Sequence, residues 1–91
     1  MAIGVYFSPE SFPVEKYDST LKDLEGAGAG APAGRLYHCA MESPGGVHVF
    51  DVWESQEAFD AFGATLMPIL NDLGVDPGTP MVMQVHNVIV G

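Results

Sequence analysis

Basic side chains are nearly missing from this chain: Lys16, Lys22 and Arg35 face twelve acids, and the formal net charge is -9. A field of that sign repels phosphate backbones and anionic lipid headgroups, which excludes nucleic acid and membrane surfaces as partners. Cysteine is reduced to Cys39 alone, so no internal disulfide forms, and the thiol is expected to act as a small buried hydrophobe. No apolar run is long enough to span a bilayer, and the opening MAIGVYFSPES lacks the basic start of a signal peptide, so a cytoplasmic, soluble protein is expected. Charged residues are also scarce, 16% against 47% hydrophobic. So few charges leave much apolar surface for something else to cover. A chain of 91 residues reads as one domain, residues 1–91, whose small core buries only part of its surface, and a second copy is the simplest cover.

What is present is a clear succession of periodicities. In residues 2–8, Ile3, Val5 and Phe7 alternate with Ala2, Gly4 and Tyr6, as in a strand. Pro13 suits the first position of a helix, whose stripe of Val14, Tyr17, Leu21 and Leu24 should end near Gly26. Gly28-x-Gly30-x-x-Ala33 formally matches a dinucleotide fingerprint, but a helix precedes it and a strand follows, the reverse of what pyrophosphate binding requires. It reads as a return loop. Residues 35–42 and 47–53 form two strands around Ser43-Pro44-Gly45-Gly46, where Pro and Gly in the middle favour a type II turn. Ser55 is a candidate N-cap for a second helix with the stripe Phe59, Phe62, Leu66, Ile69 and Leu73, and Pro68 predicts a kink or break near Leu66 and Met67. Residues 81–90 predict a last strand that is apolar on both faces.

That order is a ferredoxin-like βαββαβ α+β fold, with a four-stranded antiparallel sheet in the spatial order 4-1-3-2 and both helices on one face. The other face is greasy as well, which predicts a homodimer whose two sheets pack together with the helices outside.

Phe50-Asp51-Val52-Trp53-Glu54-Ser55, followed by Glu57-Ala58-Phe59 and Phe62, resembles the dimeric α/β barrel superfamily, and within it the small proteins similar to antibiotic biosynthesis monooxygenases. The closing His86-Asn87 is similar to small members of the same group. The resemblance implies a pocket between sheet and helices, with Trp53 lining it. The heme-degrading branch uses an Asn on the first strand and a His on the second helix; residues 2–8 and 55–73 supply neither, so that chemistry is not expected.

If Ser43–Gly46 is the whole turn, His38 lies opposite Asp51 and Leu36 opposite Trp53. A one-residue slip would send His38 to the other side. In the functional reading, Asp51 orients His38, His38 takes a proton from a phenol-like ligand, and Trp53 supplies a flat wall. Dioxygen then accepts an electron from the anion, with neither metal nor flavin required. In the structural reading, the His-carboxylate pair is a satisfied hydrogen bond and Trp53 fills the corner against Phe59 and Phe62. Tyr6, Phe59, Phe62 and His86 join Trp53 as candidate contacts for a small apolar or aromatic ligand, each with packing as its alternative role. The histidines lack the close pairing of zinc motifs, and no metal is expected; Cys39, Met41 and His48 share a face and are ligand types suited to Cu(I), but Phe50 and Val52 beside them mark a packed face.

Overall fold

The computed structural model describes all 91 residues. The chain runs β1 (Ile3–Phe7), α1 (Val14–Gly26), β2 (Arg35–Ser43), β3 (Gly46–Trp53), α2 (Gln56–Asp72) and β4 (Met81–Gln84). The four strands make one sheet in the order β2-β3-β1-β4, with every neighbouring pair antiparallel. Read from the other edge, this is the 4-1-3-2 order of the ferredoxin-like arrangement.

Strand alternation sorts the sheet's side chains. Ile3, Val5, Val47, Val49, Asp51 and Trp53 share the helix-covered face, where all six are buried. Two apolar clusters form there. Ile3, Val5, Leu24, Trp53 and Phe62 make the first, and Phe12, Val47, Val49, Leu70 and Val75 the second. Phe7 and Leu66 touch both clusters, and the seam between the two is where the cleft described below opens.

α1 starts one residue later than Pro13 suggests: Pro13 is the extended N-cap, and Val14 is the first helical residue. Its buried face is Thr20 and Leu24 with half-buried Tyr17, whereas Val14 and Leu21 are exposed. Thr20 belongs inside because its hydroxyl donates to the Lys16 carbonyl one turn back, at 2.8 Å. α2 begins as expected, with Ser55 Oγ accepting from the Ala58 N–H at 3.1 Å.

Pro68 does not divide α2, which is one helix from Gln56 to Asp72. Both Pro68 and Ala64, whose carbonyl loses its helical partner, are exposed, so water is at hand for the freed group. The hairpin turn also departs from type II. Gly45 does not take the positive φ that type II requires; Gly46 does, at 132°. A Cβ on Gly46 would stand 2.8–3.1 Å from the Phe12 backbone, and the Val47 N–H donates to the Phe12 carbonyl at 2.8 Å, so this glycine lets the β1–α1 loop lie against the hairpin.

The last strand is shorter than its composition suggests. Only Met81–Gln84 pair with β1, and Val85 adds one bond to the Ala2 carbonyl. β1 starts at Ile3, so beyond Val85 the chain has run out of partner strand. Residues 86–91 are exposed, with Ile89 and Val90 almost bare.

The second sheet face carries Tyr6, Tyr37, Cys39, Met41, His48, Phe50, Val52, Met81 and Met83, and no helix covers it. Tyr37 is 55% exposed and Met83 61%. In the single chain this face is therefore not the packed one that Phe50 and Val52 suggest.

Candidate functional site

The hairpin register pairs His38 with Asp51. The two side chains meet on the helix-covered face, with His38 Nδ1 2.6 Å from Asp51 Oδ1. Since a carboxylate only accepts, Nδ1 carries the proton, and in the neutral form of the imidazole Nε2 keeps a lone pair. That lone pair is engaged. The Tyr17 hydroxyl, from α1, lies 2.7 Å from His38 Nε2 and donates to it, and the two rings are nearly parallel, 3° apart. Asp51 Oδ2 accepts from the indole N–H of Trp53 at 3.3 Å. One chain of hydrogen bonds thus runs Tyr17, His38, Asp51, Trp53. Asp51 is only 3% exposed, and both of its oxygens are satisfied.

Trp53 itself is completely buried, its ring 5.1 Å from Phe62 and 5.8 Å from Phe59. It serves the site through Asp51 and does not border the open space. That space is an apolar cleft of about 60 Å³ in the seam between the two clusters. Phe7, Val49, Phe62, Leu66 and Leu70 line its greasy part, and Tyr17, Arg35, His38 and Asp51 its polar end. A second, more open groove beneath the Gly-rich loop shares Leu21, Leu24, Arg35 and His38 with the cleft. His38 and Arg35 therefore stand where the inner cleft meets the outer groove.

Of the sequence candidates, His38, Asp51 and Phe62 border the cleft, and Trp53 and Phe59 form the solid corner behind it. Tyr6 lies on the opposite face, hydrogen-bonded to His48 Nδ1 at 2.8 Å. His86 is exposed past the end of β4 and outside the cleft's lining. Met41 pairs across the hairpin with His48, while Cys39 pairs with Phe50.

Two residues at the polar end escaped the sequence reading. Tyr17 looked like one member of an apolar stripe. Its spacing from Thr20 and Leu24 on the same helix face is the signal that it turns inward, toward His38. Arg35 was hidden by a β-bulge. Simple alternation sets Leu36 opposite Trp53, but the register shifts between Arg35 and Tyr37, so Arg35 takes the place opposite Trp53 and Leu36 is left 62% exposed. The extra residue turns Arg35 onto the helix-covered face. The Arg35 backbone N–H is held by the Pro32 carbonyl at 3.3 Å, and a guanidinium nitrogen donates to the Gly30 carbonyl at 3.3 Å.

Burial pushes the Tyr17 phenol above its ordinary value of 10.0, the Arg35 charge pulls it back, and Asp51 adds a smaller upward push. Tyr17 is therefore a neutral donor at physiological pH.

No protein-family profile matches the chain, and no curated protein matches it in sequence. Solved structures do. A candidate antibiotic biosynthesis monooxygenase from Chloroflexus aurantiacus superposes with a TM-score of 0.65 at 15% identity, covering 100% of both chains. Another from Caulobacter crescentus gives 0.65 at 20% identity over 97% of this chain and 91% of that one. SnoaB of Streptomyces nogalater, a cofactor-independent oxygenase, gives 0.62 at 16% identity over 97% and 94%. The chain has the fold these proteins share, an α+β layer of two helices on a four-stranded antiparallel sheet.

Proposed function

We propose that this chain is a homodimeric α/β-barrel protein that takes a small aromatic or polyketide-like molecule into its cleft and oxygenates it without a resident cofactor. The observation that carries this reading is a buried carboxylate backing an imidazole at the polar end of an otherwise apolar cleft. Support comes also from the fold shared with SnoaB and with candidate monooxygenases, at identities that speak for the fold alone. The residues supply binding, deprotonation and exclusion of water. Loss of a proton from the ligand's hydroxyl, or from the enol form of an anthrone, gives an electron-rich anion held among apolar side chains. The anion passes one electron to dioxygen, and superoxide recombines with the carbon radical to form a C–O bond. The resulting peroxide loses water, leaving a carbonyl where the anthrone had a CH2, with one oxygen atom in the product and one in water.

The dimer reading rests on the bare sheet face, where Tyr37, Met41, Met81 and Met83 are all more than two-fifths exposed. A face of that kind is expected to bury itself against its twin.

Oxygen consumption with a panel of anthrones and quinols tests the enzyme reading. Turnover by wild type that falls about 100-fold or more in His38→Ala is the expected result. Equal rates in the two proteins would remove His38 from the chemistry, and no turnover in either would remove the enzyme.

A second reading, a ligand-binding or structural dimer module without turnover, is favoured by the solid Trp53–Phe59–Phe62 corner and by the size of the cleft. About 60 Å³ is well short of the roughly 300–1,000 Å³ of small-molecule pockets. A tricyclic ligand therefore requires the seam between the clusters to widen. Ligand uptake with no oxygen consumption would select this reading.

A further inference from the structure

The acid–base reading leaves a geometric question: His38 has no free lone pair. Its Nδ1–H is committed to Asp51, and its Nε2 accepts the Tyr17 hydroxyl at 2.7 Å. A substrate hydroxyl that approached His38 directly would first have to break that bond. The Tyr17 oxygen keeps acceptor capacity once its own proton points at His38, and Tyr17 lines the cleft. Arg35, one of three cationic side chains in a chain of net charge -9, lines the same polar end.

We infer that Tyr17, rather than His38, is the group that meets the substrate's ionisable oxygen, relaying its proton to His38 while Arg35 faces the negative charge left behind. The inference rests on the acid–base reading above and names the substrate-facing residue within it. The step balances as a double proton shift. The substrate O–H bond breaks and a new O–H forms on Tyr17 as the original Tyr17 proton moves to His38 Nε2. Tyr17 ends neutral, as it began; His38 becomes an imidazolium beside the Asp51 carboxylate, and the substrate becomes an anion beside Arg35. No charge is left on the tyrosine, which suits a phenol that burial holds in its neutral form.

The same geometry selects a ligand class. Once the seam widens, a flat apolar body would lie between Phe7, Val49, Leu66 and Leu70, with a single acidic hydroxyl or enol at the Tyr17 and Arg35 end. The bulge that puts Arg35 opposite Trp53 is then a specificity device, because regular pairing would have turned the guanidinium to the bare face.

The test uses para-nitrophenol, whose anion absorbs visible light and whose neutral form does not. It is mixed with the 91-residue chain at a pH below the ligand's own pKa. Wild type is expected to bind it and develop the phenolate band. Tyr17→Phe keeps the ring against Phe12, 5.9 Å away, and should bind the ligand with the band reduced about tenfold. Thermal melting verifies that the variant is folded. Should it not be, Tyr17→His, which restores a ring that both donates and accepts, is expected to recover part of the band. Arg35→Gln should weaken uptake of the anion several-fold. A full band in folded Tyr17→Phe that vanishes in His38→Ala would overturn the relay and leave His38 as a direct base. A full band in both variants would overturn the acid–base reading and the relay together, as would failure of wild type to ionise the ligand. Unchanged anion uptake in Arg35→Gln would overturn the role given to Arg35.

Discussion

Two histidines on adjacent strands each pair with a tyrosine, and the sheet face decides what each pair is worth. His38 and Tyr17 meet on the covered face, His48 and Tyr6 on the bare one, with contacts of 2.7 and 2.8 Å. Behind His38 stands the Asp51 carboxylate, which is 3% exposed and itself held by the Trp53 indole. Behind His48 stands the Ser43 hydroxyl, 3.4 Å away and already donating to the Gly46 carbonyl. The second pair has no buried charge to stabilise a protonated imidazole, and it lies outside the lining of the cleft. Similar side chains at similar spacing thus give a hydrogen-bonded chain anchored on a buried carboxylate on one face and a patch of polar contacts on the other. The difference lies in what the helices cover.

The largest effect expected from breaking this contrast is Trp53→Ala. It empties a fully buried site between Phe59 and Phe62 and removes a donor from Asp51, at a cost of about 3–5 kcal/mol in denaturant unfolding. Asp51→Ala follows at about 2–3 kcal/mol, because the Trp53 N–H and the His38 Nδ1–H lose their acceptor together. The matched change on the other face, Ser43→Ala, should cost no more than about 1 kcal/mol, since His48 is half-exposed and water can replace the hydroxyl. Equal losses for Asp51→Ala and Ser43→Ala would abolish the distinction drawn between the two histidines.

The covered face was the more legible one in the sequence, and for a physical reason. Period-two alternation in 47–53 and period-3.6 spacing in 59–73 both report burial, so element order and sheet order follow from them, while the His38–Asp51 register follows from taking Ser43–Gly46 as the whole turn. Three features left no such trace. The bulge at Leu36 depends on how residues 30–35 fold back, with the Gly34 carbonyl accepting from the Glu54 N–H, which is a tertiary matter. The early end of β4 is set by the length of β1, its only partner, so the apolar run to Val90 says nothing about pairing. Tyr17 was read as packing because an amphipathic tyrosine presents the same hydrophobic signal whether its hydroxyl is idle or engaged.

On the bare face, Met83→Glu places a charge on the edge strand β4, opposite Gly4 of β1. Two copies packed through this face would bury that charge without a partner. Sedimentation is expected to show wild-type dimer shifting toward monomer in the variant by about 2 kcal/mol or more, with the secondary structure unchanged. A wild type that sediments as monomer would remove the dimer, and with it the reason for two greasy faces on one sheet.

The smallest effect separates the two tyrosines by pH. Burial raises the Tyr17 phenol above 10.0, so the folded chain holds its proton more tightly than the unfolded chain does. The stability gained this way is fully present below about pH 10, the ordinary tyrosine value. It declines as the unfolded chain ionises and is lost as pH rises through the folded value, because over that interval the unfolded state binds fewer protons than the folded one. Unfolding followed from neutral to strongly alkaline pH should therefore show a steeper decline for wild type than for Tyr17→Phe, the two curves differing by a constant below pH 10 and converging above it. Curves that stay parallel throughout would mean that Tyr17 is solvated like an ordinary surface phenol, and that the helix-covered end of the cleft is open to water.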